Sequence, residues 1–151
     1  MEKKKLLILG GNRLNIPSIR QAGDEGFETW VADGNPSAAG FSAAQHALHV
    51  NITNPDEVYE AVREIGIQGI VTMAEAGVRT AAIVSERLGL ASISVEAAMR
   101  STSKLAMRRC WKNNAYSVDF REVHDISGVA QAVAELGSYP VVFKPDERFG
   151  G

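Results

Sequence analysis

Several features that would point directly to a function are scarce or absent in this sequence. It has one cysteine, Cys110, in 151 residues. A lone thiol excludes an internal disulfide framework and any zinc site built from several thiolates. Beside Trp111, in a helical stretch without a partner base, Cys110 reads as a small core residue. Neither sign of charge dominates: 16 Lys and Arg against 18 Asp and Glu leave a net charge of −2. Nucleic acid and membrane surfaces therefore find no electrostatic footing. Long hydrophobic runs are missing too. The lysines at 3–5 precede only the short apolar run 6–9, too little for a signal peptide or a membrane span, so a cytoplasmic protein is expected. There are three histidines. His46 and His49, three apart around a short strand, fall on opposite faces and make a poor metal pair, and His124 likewise has no functional role suggested for it. No spacing suggests a Ser–His–Asp arrangement, and neither an internal repeat nor a low-complexity segment is present.

What remains is an ordinary globular composition, 45% hydrophobic and 23% charged. A chain of this length makes one domain, or one domain and a piece of another, and can bury roughly 68–70% of its unfolded surface without staples. The organising stretch is 3–27. Leu6-Leu7-Ile8-Leu9 is an unbroken apolar run, as in a strand buried on both faces. Gly10-Gly11-Asn12 then turns the chain. From 14 to 25 the apolar residues Leu14, Ile16, Ile19 and Ala22 keep helical spacing, with Pro17 acceptable in a first turn. Gly26 ends that helix before a second strand at 28–32. Strand, glycine turn, helix, strand opens a doubly wound α/β domain, whose ligands sit at the carboxyl ends of the strands.

Asp33-Gly34-Asn35-Pro36 is a strong turn signal, followed by a small, polar loop over 37–44 and a third strand at 46–50. A helix is expected over 56–65, with an acidic start and an apolar stripe of Val58, Ala61, Val62 and Ile65. A fourth strand follows at 69–73, then a loop holding Glu75 and a helix over 78–88. Ser94 has the character of a cap for the next helix. That helix is interrupted at 101–103 and resumes over 104–113, where Lys104, Arg108 and Lys112 form one basic stripe. A strand at 118–123, a helix at 126–136 capped by Gly137, and a strand at 139–145 complete the pattern. A domain boundary is expected at 113–117, and the closing Arg148-Phe149-Gly150-Gly151 reads as leading into more protein.

Four stretches together carry a resemblance: LLILGGN at 6–12, VADGNP at 31–36, the LGL…S…A…SK run from 88 to 104, and YPVVFKP at 139–145. In that order and at those separations the chain resembles the N-terminal part of the ATP-grasp ligases, over essentially its whole length. It is most similar in look to the carbamoyl-phosphate synthase large chain and related carboxylate–amine ligases. The resemblance implies a Rossmann-like pre-ATP-grasp domain with a parallel sheet over 1–113, including linker helices at 95–113. The first β-α-β part of an ATP-grasp subdomain would then begin over 114–151. It implies activation of a carboxylate as an acyl phosphate by ATP, followed by attack of an amine or ammonia. By resemblance Lys144 touches the nucleotide phosphates, and Gly150 and Gly151 begin a glycine-rich loop over them. Lys104 matches a nucleotide-contacting lysine that usually follows an aspartate; here Ser103 precedes it. Gly11, Asn12 and Glu75 lie where such proteins approach the acceptor substrate. The Mg²⁺ ligands of the family fall beyond residue 151. The chain is therefore expected to hold neither catalytic nor metal-ligating residues and to be inactive alone, as a fragment whose parent uses ATP, Mg²⁺ and small carboxylate and amine substrates. Its oligomeric state stays open, a homodimer included.

Two other readings stand beside this one. An NAD(P)-binding Rossmann protein finds support in Gly10-Gly11 and in Asp33, about 20 residues on, where a ribose-binding acid would stand. Against it, Asn12, Arg13, Leu14 and Asn15 replace the later glycines of that fingerprint. A non-catalytic binding module would leave Val141, Phe143 and Phe149 exposed, and self-association would follow.

Overall fold

The computed structural model describes residues 3–146, whose contacts divide the chain into two compact units, Met1–Ala98 and Met99–Gly151. The first is an α/β unit. Its elements are β1 (Lys5–Leu9), α1 (Ile16–Asp24), β2 (Glu28–Asp33), β3 (His46–His49), α2 (Pro55–Val62), β4 (Gly69–Thr72) and α3 (Val78–Arg87). The four strands form one parallel sheet in the order β3-β2-β1-β4. β1 is central, with Leu7 opposite Trp30 on β2 and Ile70 on β4.

The apolar run of β1 is buried on both faces. Leu7 and Leu9 enter a cluster with Ala32, Val58, Val62, Ala81 and Val84, which joins the sheet to α2 and α3. Ile8 goes to the opposite face with Ile19 of α1 and Val31 of β2, covered by Phe41, Ala43 and Ala44. Burial on two faces, rather than alternation, is what a parallel strand beneath crossover helices requires. α2 starts where Asn54 Oδ1 accepts from the N–H groups of Asp56 and Glu57, with Pro55 in the first turn. α1 is preceded by a 3-10 turn over Arg13–Asn15, so the expected helix at 14–25 begins later than its apolar spacing suggests. The loop at 37–44 holds a 3-10 turn, Ala39–Ala43.

The second unit contains the later part of α4 (Val95–Thr102), α5 (Lys104–Trp111) and α6 (Val129–Leu136). Ser103 breaks the helical run, as expected: its hydroxyl accepts from Ala106 N–H at 3.0 Å. Gly137 closes α6 in a left-handed conformation. Two expectations are corrected here. The segments 118–123 and 139–145 are not strands; among the described residues they have no ladder. Their β-prone composition suits an extended chain, but a strand exists only against a partner backbone. Phe143 is 72% and Val142 78% exposed, Val141 is half-buried, and Phe149 lies outside the described residues. Cys110 is also exposed, because α5 has no buried residue on any face. Among the described residues, no helix is long and apolar enough to cross a membrane.

Candidate functional site

In the first unit, the chain leaves β1 in one direction toward β2 and β3, and β4 is added on the other side. The switch point falls between β1 and β4, at whose carboxyl ends ligands ordinarily sit in such sheets. The turn after β1 and the turn after β4 flank it. Gly10 has φ +99°, and a Cβ added there would lie 3.0 Å from the Cβ of Ala74. The two turns are thus in contact. Thr72 joins them from below: its hydroxyl lies 2.9 Å from the Leu9 carbonyl and 3.0 Å from that of Ala74, and accepts from Ala74 N–H. Asn15, buried, donates its side-chain amide to the Gly10 carbonyl at 2.9 Å.

The acceptor-side candidates lie on these two turns. Gly11 is buried, Asn12 is exposed with its side chain accepting from Leu14 N–H, and Glu75 begins the turn after β4, Glu75–Gly77. What the sequence did not reveal is how the glycine turn is held. Asp33, at the end of β2, accepts from Gly11 N–H at 2.6 Å and, through its other oxygen, from Asn35 N–H at 2.8 Å. The loop after β2 closes from the other side, where Gly40 N–H donates to the Gly11 carbonyl at 2.7 Å. Both oxygens of the Asp33 carboxylate are thus engaged by backbone donors, which fixes the turn after β1.

The nucleotide-side candidates lie in the second unit. Lys104 is the first residue of α5, and its ammonium donates to the Asp146 carbonyl at 3.3 Å. Lys144, exposed, is two residues earlier in that same segment. The Lys104 ammonium thus reaches the segment that carries Lys144, 40 positions on in the chain. Gly150 and Gly151 lie outside the described residues. Asp146 went unnoticed in the sequence. Elsewhere in this unit, Asp125 is held below the ordinary carboxylate pKa by the Ser127 hydroxyl, then by the N–H groups of Gly128 and Ser127. Glu135 is likewise lowered, by the side chain of Gln131 and then by Arg121. Both belong to local ion pairs and caps with no reactive geometry.

The histidines have separate structural employment. His46 stacks on Trp30 with ring centroids 3.9 Å apart and lies 3.0 Å from Glu28, while a ring nitrogen of His49 lies 3.0 Å from the Gly34 carbonyl.

No family model and no curated protein matches the chain. Solved structures do. A phosphoribosylglycinamide synthetase from Anaerococcus prevotii is similar at 24% identity and TM-score 0.72, over 89% of this chain and 35% of that one. N5-carboxyaminoimidazole synthetase from Staphylococcus aureus, complexed with ADP, is similar at 19% identity and TM-score 0.75, over 99% and 40%. The chain shares its fold with part of each of these enzymes. An L-amino acid ligase from Bacillus licheniformis extends the likeness, at 16% identity and TM-score 0.71 over 99% and 39%. The chain thus spans between a third and two fifths of the length of these structures.

Proposed function

We propose that the chain is the N-terminal part of an ATP-dependent carboxylate–amine ligase, with a pre-ATP-grasp domain over 1–113 and the start of a nucleotide-clamping subdomain over 114–151. The observation that carries this reading is the convergence of Lys104 with the segment bearing Lys144. Two lysines on connected segments suit a polyphosphate, for which lysine acts as a point charge. The ADP in the Staphylococcus aureus structure supports the same ligand. In the reaction proposed for the parent protein, a carboxylate oxygen attacks the γ-phosphorus of ATP and ADP leaves, giving an acyl phosphate. An amine then attacks the acyl carbon, phosphate departs with the C–O electrons, and the amine proton passes to solvent. Here Lys104, Lys144, Gly150 and Gly151 would bind phosphates, while Gly11, Asn12 and Glu75 would meet the acceptor at the carboxyl ends of β1 and β4.

Mg²⁺ in such a ligase neutralises charge on the transferring phosphates. The residues that would hold Mg²⁺ are proposed to come from another part of such a ligase, and the 151 residues alone are proposed to be inactive. Carbamoyl-phosphate synthase is the proposed relative within the broader class.

The test is thermal unfolding with MgATP and with NAD. A ligand at a hundredfold its Kd stabilises by about 2.7 kcal/mol, which is several degrees of Tm for a protein this size. A rise with MgATP alone is expected. A rise with NAD alone would transfer the chain to the dinucleotide-binding class, and steady MgATP hydrolysis by the isolated chain would refute its inactivity.

A further inference from the structure

Asp146 follows Lys144 by two residues, and its carboxylate is drawn onto the head of α5. Oδ1 accepts from Leu105 N–H at 2.7 Å, and the Ser103 hydroxyl lies 3.1 Å from both carboxylate oxygens. The backbone carbonyl of the same residue accepts from the Lys104 ammonium at 3.3 Å. Donors from three consecutive residues, 103, 104 and 105, therefore converge on one residue of the Lys144 segment.

Capping of the helix accounts for only part of this convergence, the bond from Leu105 N–H. Ser103 shares that role, since its hydroxyl oxygen accepts from Ala106 N–H. What Asp146 adds is a connection between segments 41 to 43 positions apart. Its bond to Leu105 N–H is charge-assisted, the stronger class of hydrogen bond. Two residues of chain span at most about 7 Å, so the backbone of Lys144 is kept within that reach of Asp146, which is itself bonded to the first turn of α5.

We infer that Asp146 is a positioning residue for the nucleotide site. It ties the Lys144 segment to α5, so that the ammonium groups of Lys104 and Lys144 meet one polyphosphate. The carboxylate acts through the two lysines and does not itself contact the nucleotide. This rests on the nucleotide reading proposed above.

The experiment compares the wild-type chain, Asp146→Ala, and the double variant Asp146→Ala with Ser103→Asp. The double variant returns a carboxylate to the head of α5 and leaves the tie broken. Two quantities are measured on each protein: backbone order at Lys144 and Leu105 by ¹⁵N relaxation, and MgATP affinity by calorimetry. Asp146→Ala is expected to loosen Lys144 and to weaken MgATP binding roughly tenfold, the scale of one charge-assisted hydrogen bond. The double variant is expected to regain order at Leu105 while Lys144 stays loose and MgATP affinity stays low. Unchanged order at Lys144 in Asp146→Ala would overturn the inference, as would recovery of both Lys144 order and MgATP affinity in the double variant. If the wild-type chain binds no MgATP, the nucleotide reading fails, and the tie is decided by the Lys144 relaxation alone.

Discussion

Gly40→Ala places one methyl group where the backbone of the glycine turn already stands. A Cβ built on Gly40 falls 2.8 Å from Gly11 Cα, 2.8 Å from Gly11 O and 2.8 Å from Ile19 Cδ1. Carbon atoms rest at about 3.5–4.0 Å, so the two loops must separate by the better part of an ångström. Two of the three clashing atoms are backbone and cannot rotate away. Overpacking of this kind costs about 1–3 kcal/mol. Weakening the bond from Gly40 N–H to Gly11 O adds about 0.5–1.5 kcal/mol, and the stiffer unfolded chain returns about 0.4–1 kcal/mol. The net expectation is a loss of roughly 2 kcal/mol, or a urea midpoint lower by about 1 M for a slope near 2 kcal/mol/M. Trp30 on β2 reports the unfolding of this unit if Trp111 is first replaced by Phe. Gly23→Ala is the companion variant: its added Cβ meets no atom within 4 Å, and a helical alanine should stabilise α1 by up to about 1 kcal/mol. A Gly40→Ala protein that unfolds at the wild-type urea concentration, or a Gly23→Ala protein that loses as much, would refute the close-approach reasoning.

Asp33→Ala removes the acceptor from the N–H groups of Gly11 and Asn35 and should cost about 1–3 kcal/mol by urea unfolding; a variant as stable as wild type would remove the carboxylate from its role in the turn. Asn54→Ala uncaps α2 and should cost about 1 kcal/mol, read in the same assay. Acid should loosen the region around α6. Asp125 and Glu135 both have lowered pKa values, so their stabilising contribution is present above the ordinary carboxylate pKa of about 4 and is lost as pH falls through the folded values. An NMR titration should place both midpoints below those of a denatured chain, and midpoints at or above them would contradict the hydrogen bonding described.

The parts of the fold that were legible in the sequence are those fixed by local pattern. The run 6–9 announced a strand buried on both faces, and Leu7 and Ile8 do enter separate clusters. Asn54-Pro55 and Gly137 marked helix ends through local hydrogen bonding and backbone preference. Features that depend on distant partners were not legible. The segments 118–123 and 139–145 have strand composition, but a ladder needs another backbone that composition cannot supply. Cys110 looked like a core residue because burial was inferred from its type, whereas α5 offers no buried face. In the candidate site, the glycine turn was visible but its two clamps were not: Asp33 read as part of a turn, and the small, polar loop at 37–44 gave no sign of the bond from Gly40 to Gly11. Asp146 was silent because its partners lie more than 40 positions away.

The order β3-β2-β1-β4 also sets a timetable for synthesis. β1 is made first, yet one of its two neighbours is β4, and the Thr72 hydroxyl that reaches the Leu9 carbonyl comes from 63 residues later. At a translation rate of about 5–20 residues per second, that interval lasts roughly 3–13 s. Throughout it, the strand with the most apolar face-to-face burial has a free hydrogen-bonding edge outside the ribosome. A nascent chain stalled before residue 69 should therefore be a good client for chaperones that hold extended apolar segments, and release should coincide with the arrival of β4.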